Sequence, residues 1–182
     1  MRVISGSARG LRLSTIDSLD TRPTLDRVKE AIFSILIPYI PSGCCLDLFA
    51  GSGGLGIEAL SRGVESAVFV DANPKCISVI EQNVQKARFT QRCSIVRSDF
   101  SSYLRCCNQG FDIIFLDPPY NMGRLDEILT LINENSVLNK EGIILLEADE
   151  GTEVNHPDFV VLKQKKYGRV NVYVLEGAQS HE

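Results

Sequence analysis

The sequence predicts an α/β fold: a doubly wound, mostly parallel sheet closed by a C-terminal antiparallel hairpin and preceded by a short basic N-terminal extension. Three observations predict it. Between residues 44 and 147, short apolar runs alternate with segments of helical periodicity. Several of those runs end in glycine, aspartate or proline, the residues of tight turns. Two alternating segments, 159–162 and 170–175, then stand on either side of a Lys-rich stretch. Strands that alternate with helices form parallel sheets whose ligands lie at the carboxyl ends of the strands.

After Pro23 and Thr24, the apolar residues Leu25, Val28, Ile32, Ile35 and Leu36 recur at helical spacing until Pro38 and Pro41. The run 44–49 is a strand that enters the turn Ala50-Gly51-Ser52-Gly53-Gly54-Leu55-Gly56, and a helix carries Ile57, Ala59 and Leu60 as far as Gly63. Residues 67–70 form a second strand ending at Asp71. Asn73 and Pro74 then supply the N-cap and first turn of a helix with Ile77, Ile80, Val84 and Ala87 on one stripe. Residues 93–96 read as a strand, followed by Ser98-Asp99-Phe100 and a helix through Tyr103 and Leu104. The run 111–116 is a buried strand leading into Asp117-Pro118-Pro119-Tyr120. A helix with Leu125, Ile128, Leu129 and Ile132 follows, then a strand over 142–147 and the closing hairpin, whose turn is placed in the lysines.

At 182 residues the chain has the length of one compact unit, divided here into an extension with the first helix (1–41) and a core (42–182). No run approaches the roughly 18–20 apolar residues of a membrane span, and the opening residues lack the apolar stretch of a signal peptide. A cytoplasmic protein with no membrane partner is expected. The six cysteines, Cys44, Cys45, Cys76, Cys93, Cys106 and Cys107, lack zinc-site spacing, so reduced thiols and no metal are expected. The net charge of −4 conceals an asymmetry. Residues 1–29 carry six basic side chains against three acidic ones, +3, which leaves −7 for the remainder. A basic segment ahead of an acidic body suggests a phosphate-binding extension, with Arg2, Arg9, Arg12, Arg22 and Arg27 as its contacts.

Gly51-x-Gly53-x-x-Gly56, with Asp71 twenty residues past the first glycine, satisfies a nucleoside-binding pattern. The glycines allow a tight turn and close approach of a ligand, and a carboxylate at the second strand's end can accept from ribose hydroxyls. Both NAD and S-adenosylmethionine need those two features. Asp47 favours the second, because an acid just before the turn repels a pyrophosphate and attracts a cationic sulfonium, by about 1–4 kcal/mol at 4 Å. Phe49 lies in the same segment. Asp99 is placed to accept from an adenine amine with Phe100 beside the ring, or else to cap the helix that follows. In Asp117-Pro118-Pro119-Tyr120 the two prolines remove N–H donors and leave an environment that accepts hydrogen. That suits an exocyclic amine on a planar base: Asp117 and the Pro118 carbonyl accept its hydrogens, and Tyr120 offers a ring for stacking.

These segments together resemble the RsmD family of bacterial 16S rRNA (guanine-N2)-methyltransferases, over Arg2 to about Leu175. The likeness rests on Arg2-Val3-Ile4-Ser5-Gly6 with Arg9-Gly10, and on Arg22-Pro23-Thr24 with Asp26-Arg27-Val28 and Glu30. It extends through Asp47-Leu48-Phe49-Ala50-Gly51-Ser52-Gly53 with Leu55-Gly56 and Glu58-Ala59-Leu60-Ser61-Arg62-Gly63. The chain departs from the family's usual residues at Ser5, Asp71 and Tyr120. The resemblance implies a Rossmann-like class I methyltransferase core and S-adenosylmethionine as cofactor, leaving S-adenosylhomocysteine. It further implies guanine 966 of 16S rRNA as target, with the rRNA expected within a small-subunit assembly particle. An adenine-directed DNA methyltransferase shares the Asp-Pro-Pro-Tyr segment but needs a target-recognition region that this length does not accommodate. An NAD-dependent oxidoreductase leaves Asp47 and Asp117-Pro118-Pro119-Tyr120 unexplained, and a non-catalytic RNA-binding module would have no need to keep Asp117 or the glycines.

Overall fold

A computed structural model describes residues 1–16, 25–40, 43–119 and 122–178. Its centre is a seven-stranded sheet in the order β3-β2-β1-β4-β5-β7-β6. Strands β1 (Cys44–Asp47), β2 (Ser66–Asp71), β3 (Cys93–Arg97), β4 (Phe111–Leu116) and β5 (Leu138–Asp149) pair in parallel. Strands β6 (Phe159–Tyr167) and β7 (Val170–Gly177) add an antiparallel hairpin, with β7 against β5. The sheet order reverses direction between β1 and β4. At such a switch point the connections leave to opposite sides and open a crevice at the strands' carboxyl ends.

The helices divide between the two faces as a doubly wound sheet requires. On one face, α1 (Leu25–Leu36), α2 (Gly54–Ser61) and α3 (Pro74–Ala87) bury Ile32, Phe33, Ile57, Leu60, Ile80 and Val84 against Cys45, Phe69, Phe115 and Leu145. On the other, α4 (Phe100–Cys106) and α5 (Leu125–Glu134) bury Leu104, Ile128, Leu129 and Ile132 against Leu46, Ile114, Leu116 and Leu146. The local signals act as expected. Asn73 caps α3 by accepting from the Lys75 N–H at 2.9 Å, and Gly63, at φ 114°, follows the last turn of α2. A single 3₁₀ turn, Ile37–Tyr39, absorbs Pro38 after α1.

The N-terminal extension does not stand away from the core. Its two limbs form a small hairpin, with Val3 N–H donating to the Leu11 carbonyl and Leu13 N–H to that of Met1, and Val3 and Leu13 join the α1–α3 core. Polar contacts fasten it. The Glu58 carboxylate, fully buried in α2, accepts from the N–H groups of Ile4 (2.8 Å) and Ser5 (3.0 Å), from Arg62 Nε (2.8 Å), and pairs with Lys29 Nζ (3.2 Å). Buried Lys29 also donates to the Arg2 carbonyl. Asn83 of α3 accepts from Ser14 N–H at 2.8 Å and donates to the carbonyls of Ser14 and Ser52, so one amide joins the extension to the glycine turn.

The closing hairpin differs from its sequence expectation in one respect. The lysines are not its turn: Lys163, Lys165 and Lys166 lie within β6, and the turn is Gly168-Arg169 with Gly168 at φ 63°. β6 is an edge strand exposed along most of its length, so its pairing comes from the backbone and needs no apolar alternation. Charged side chains there also hinder edge-to-edge association.

Candidate active site

The crevice at the switch point holds a cavity of about 260 Å³. Its floor is Asp47 at the end of β1, the turn from Phe49 to Leu55, Asp117 after β4, and Glu147 in β5. Its roof is supplied by the extension and α1 through Met1, Thr15, Ile16, Val28 and Lys29. The extension therefore builds part of the site.

The glycines perform two different tasks. Gly51 and Gly53 adopt φ 56° and 78°, left-handed backbone that the turn requires. Gly56 is needed for space, since a Cβ there would lie 2.4 Å from Cε1 of Phe69. Its N–H, at the start of α2, donates to Asp47 Oδ2 at 3.0 Å. Asp71 braces the turn from the next strand: Oδ2 accepts from Gly51 N–H at 2.9 Å and Oδ1 from Asn73 N–H at 2.8 Å. Each carboxylate oxygen retains a lone pair for a further donor.

Three carboxyl groups share one side of the sheet. In β1, β4 and β5 the side chains of Cys45, Phe115 and Leu145 point to the α1–α3 face, and alternation by two gives Asp47, Asp117 and Glu147 the same direction. The register Leu116↔Leu146 makes Asp117 and Glu147 the next neighbours across β4 and β5. Burial raises the Asp47 carboxyl to about 7, opposed by the Gly56 N–H and reinforced by the charges of Asp117 and Asp71. Asp117 is raised by loss of water. It is open to the cavity yet surrounded by protein, so contact with solvent there does not supply full hydration. Glu147 is raised well above the ordinary carboxyl range, first by burial and then by the charges of Asp117 and Asp47.

Of the residues singled out in the sequence, Asp47, Phe49, Gly51 and Asp117 meet in this cavity, with Asp71 one hydrogen bond away on Gly51. Gly53 and Gly56 lie behind the turn, buried. Asp99 does not line the cavity; it caps α4, accepting from Ser102 N–H at 2.9 Å, and hydrogen bonds from the Ser102 side chain and then its N–H hold its carboxyl below the usual range. Phe100 is buried and reaches the site through Phe49, the ring centroids 5.7 Å apart, while Arg124 stacks on its ring at 4.6 Å. Pro118 lines a second, smaller cavity with Pro119, Met122, Arg124 and Glu147. Tyr120 and Arg22 lie outside the described residues. Arg2, Arg9, Arg12 and Arg27 are exposed, and Arg2 pairs with Asp26 at 3.5 Å. Lys29 is not available to a phosphate, being buried against Glu58.

Sequence reasoning missed Glu58, Asn83 and Glu147. The first two act over separations of 53 to 69 residues, which local patterns do not reveal. Glu147 had a signal: an acid ending the apolar run Ile143-Ile144-Leu145-Leu146, as Asp47 and Asp71 end theirs. Among the described residues, no group of three or more His, Cys, Asp or Glu side chains is placed to hold a metal ion, and no helix is long and apolar enough to cross a membrane.

A parallel sheet with its crevice at the β1/β4 switch point, a glycine turn tied to an acid on β2, and an acid-Pro-Pro segment after β4 define a Rossmann-like methyltransferase. Solved structures agree. "Putative methyltransferase yhhF from Escherichia coli" superposes with a TM-score of 0.88 at 33% identity, covering 97% of each chain. The chain belongs to the family described as Conserved hypothetical protein 95, the RsmD family, whose model matches residues 1–176. Among its relatives, "Putative rRNA methyltransferase YlbH" of Bacillus subtilis is 43% identical over 181 residues, covering 97% of this chain and 98% of that one. "Ribosomal RNA small subunit methyltransferase D" of Haemophilus influenzae is 34% identical, covering 94% of this chain and 91% of that one.

Proposed function

We propose that this chain transfers a methyl group from S-adenosylmethionine to the exocyclic N2 amine of a guanine in 16S rRNA, at position 966, within a small-subunit assembly particle. The observation that carries the reading is the Asp117-Pro118 segment, rich in acceptors, opening beside a cavity floored by the glycine turn and Asp47. Relatives named for small-subunit rRNA methylation supply the substrate class.

The residues fit the cofactor. A Cβ built on Gly51 would meet nothing within 4 Å, so the turn leaves open space beside a backbone already fixed by Asp71. Asp71 keeps lone pairs for ribose hydroxyls, Phe49 and Phe100 form an aromatic wall, and Asp47 lies where a cation is favoured. When bound, S-adenosylmethionine supplies a methyl group already activated on a sulfonium, so no covalent enzyme intermediate is needed. Asp117 and the Pro118 carbonyl accept from the two N–H groups of the amine, which directs the nitrogen lone pair away from them. Asp117, already raised in its carboxyl affinity for a proton, is placed to take the proton that the methylated amine must lose. Tyr120 stacks the target base, and Arg2, Arg9, Arg12, Arg22 and Arg27 hold RNA phosphates.

Two measurements test this. Thermal unfolding with S-adenosylmethionine or NAD added separates the enzyme classes, since only a ligand of the folded state raises the midpoint. Transfer of labelled methyl groups to small-subunit particles lacking the modification, followed by nucleoside analysis, identifies the product. N2-methylguanosine is expected, with stabilisation by S-adenosylmethionine alone; stabilisation by NAD alone, or a methylated adenine, overturns the reading.

A further inference from the structure

Glu147 takes no part in the steps above, yet among the described residues it is the one common to both cavities, the one roofed by the extension and the one lined by Pro118. Its side chain is buried, with 8% of the residue's surface exposed. A buried carboxyl that lines a cavity is placed to bond a ligand held there. The strand around it is apolar, and Asp117 and Asp47, whose charges act on it, are of like sign.

We propose that Glu147 is a specificity-determining residue that reads the N1–H/O6 edge of the target guanine. The inference rests on the proposed transfer to guanine N2. Asp117, the acceptor assigned to the N2 amine, and Glu147 occupy neighbouring register positions on β4 and β5. Adjacent strands are about 4.8 Å apart, close to the span of the guanine edge from N2 to O6. With N2 held at Asp117, the N1–H and O6 groups are presented one strand further along, toward β5. A carboxylic acid is complementary to that pair: its carbonyl oxygen accepts from N1–H and its hydroxyl donates to O6. Burial beside two like charges favours the protonated form of Glu147 that this pairing uses. Lys29, which lines the same cavity, is engaged with Glu58 and the Arg2 carbonyl and so is not available to pair with Glu147.

The test pairs a change in the enzyme with a change in the base. Small-subunit rRNA is prepared by ligation with either guanine or 2-aminopurine at position 966; the analogue keeps the 2-amino group and lacks both N1–H and O6. For the parent, kcat/KM should be at least tenfold higher on guanine, because a site built to bond these groups rejects an analogue without them. In Glu147→Ala that ratio should fall close to one, with the guanine rate reduced and the Kd for S-adenosylmethionine within about twofold of the parent. Glu147→Gln, whose amide has the same donor and acceptor pattern, should restore both the guanine rate and the ratio. A Glu147→Ala variant that lowers both substrates equally and keeps the parent's ratio overturns the inference, as does a tenfold loss of cofactor affinity with the ratio unchanged. If the parent itself methylates neither RNA, the proposed function fails and this inference fails with it.

Discussion

Replacing Glu58 by alanine should both destabilise the protein and release its N-terminal hairpin. The carboxylate is fully buried and serves four groups at once: the N–H of Ile4, the N–H of Ser5, Arg62 Nε and Lys29 Nζ. Removing it leaves two backbone donors without their acceptor, at about 1–3 kcal/mol each where they stay dry. It also leaves Lys29 as a buried cation without its counter-ion, and breaking a buried pair in this way costs about 3–5 kcal/mol. The contributions overlap, since the hairpin can lift away and let water reach Lys29, so about 3–5 kcal/mol is the expected total. For a chain of this length that corresponds to a fall in Tm on the order of 10 °C. Urea unfolding followed by circular dichroism gives the free energy. Limited proteolysis before Leu25 reports on the hairpin, and calorimetry with S-adenosylmethionine reports on the cavity that Met1, Thr15 and Ile16 help to roof. Glu58→Ala should be cleaved near its N-terminus while the core persists, and should bind the cofactor more weakly. A variant within about 1 kcal/mol of the parent and equally resistant to protease would refute the assigned role of this network.

Three further outcomes follow from the site. Asp47 is raised to about 7 in the folded state, so the native protein binds more protons than the unfolded chain between the ordinary carboxyl value and about pH 7; stability of the ligand-free protein should fall as pH rises through that window, by at most about 1.4 kcal/mol per unit from this group, and Asp47→Asn should flatten a Tm series from pH 5 to 8. Gly56→Ala should cost about 1–3 kcal/mol by forcing a Cβ into the Phe69 ring, whereas Gly51→Ala should cost only about 1–2 kcal/mol from its left-handed backbone and lose cofactor affinity instead; paired unfolding and calorimetry distinguish them, and equal behaviour would contradict the division of tasks. Changing exposed Arg9 and Arg12 to alanine should flatten the slope of log RNA affinity against log salt by about 0.7–0.9 per lost phosphate contact, and superimposable salt series would show that RNA is held elsewhere.

What the sequence made legible depended on range. Asn73-Pro74, Gly63 and the 51–56 turn act on their own neighbours, and each did what its residue type implies. Asp71 was placed correctly at a strand end, but its bond to Gly51 comes from the parallel pairing of β1 and β2 and has no local mark. Asp99 offered two readings, and the structure shows the capping bond to Ser102. The lysines of β6 looked like a turn because polar residues in sequence suggest solvent; on an edge strand both faces meet solvent, so the pattern of polarity says little about the backbone. The extension was read through its charge. Its burial of Val3 and Leu13 and its bonds to Glu58, Ser61 and Asn83 reach across more than fifty residues, and they make it a wall of the site.

The most direct test of the account is mass spectrometry of 16S rRNA from cells in which this chain has been deleted and then restored as the parent or as Asp117→Asn. Deletion should remove the methyl group from the N2 amine of one guanine, at position 966. The parent should restore it, and Asp117→Asn should not, although it still folds and binds S-adenosylmethionine. Full N2 methylation of that guanine in the deletion strain, or its restoration to the parent's level by Asp117→Asn, would contradict the account.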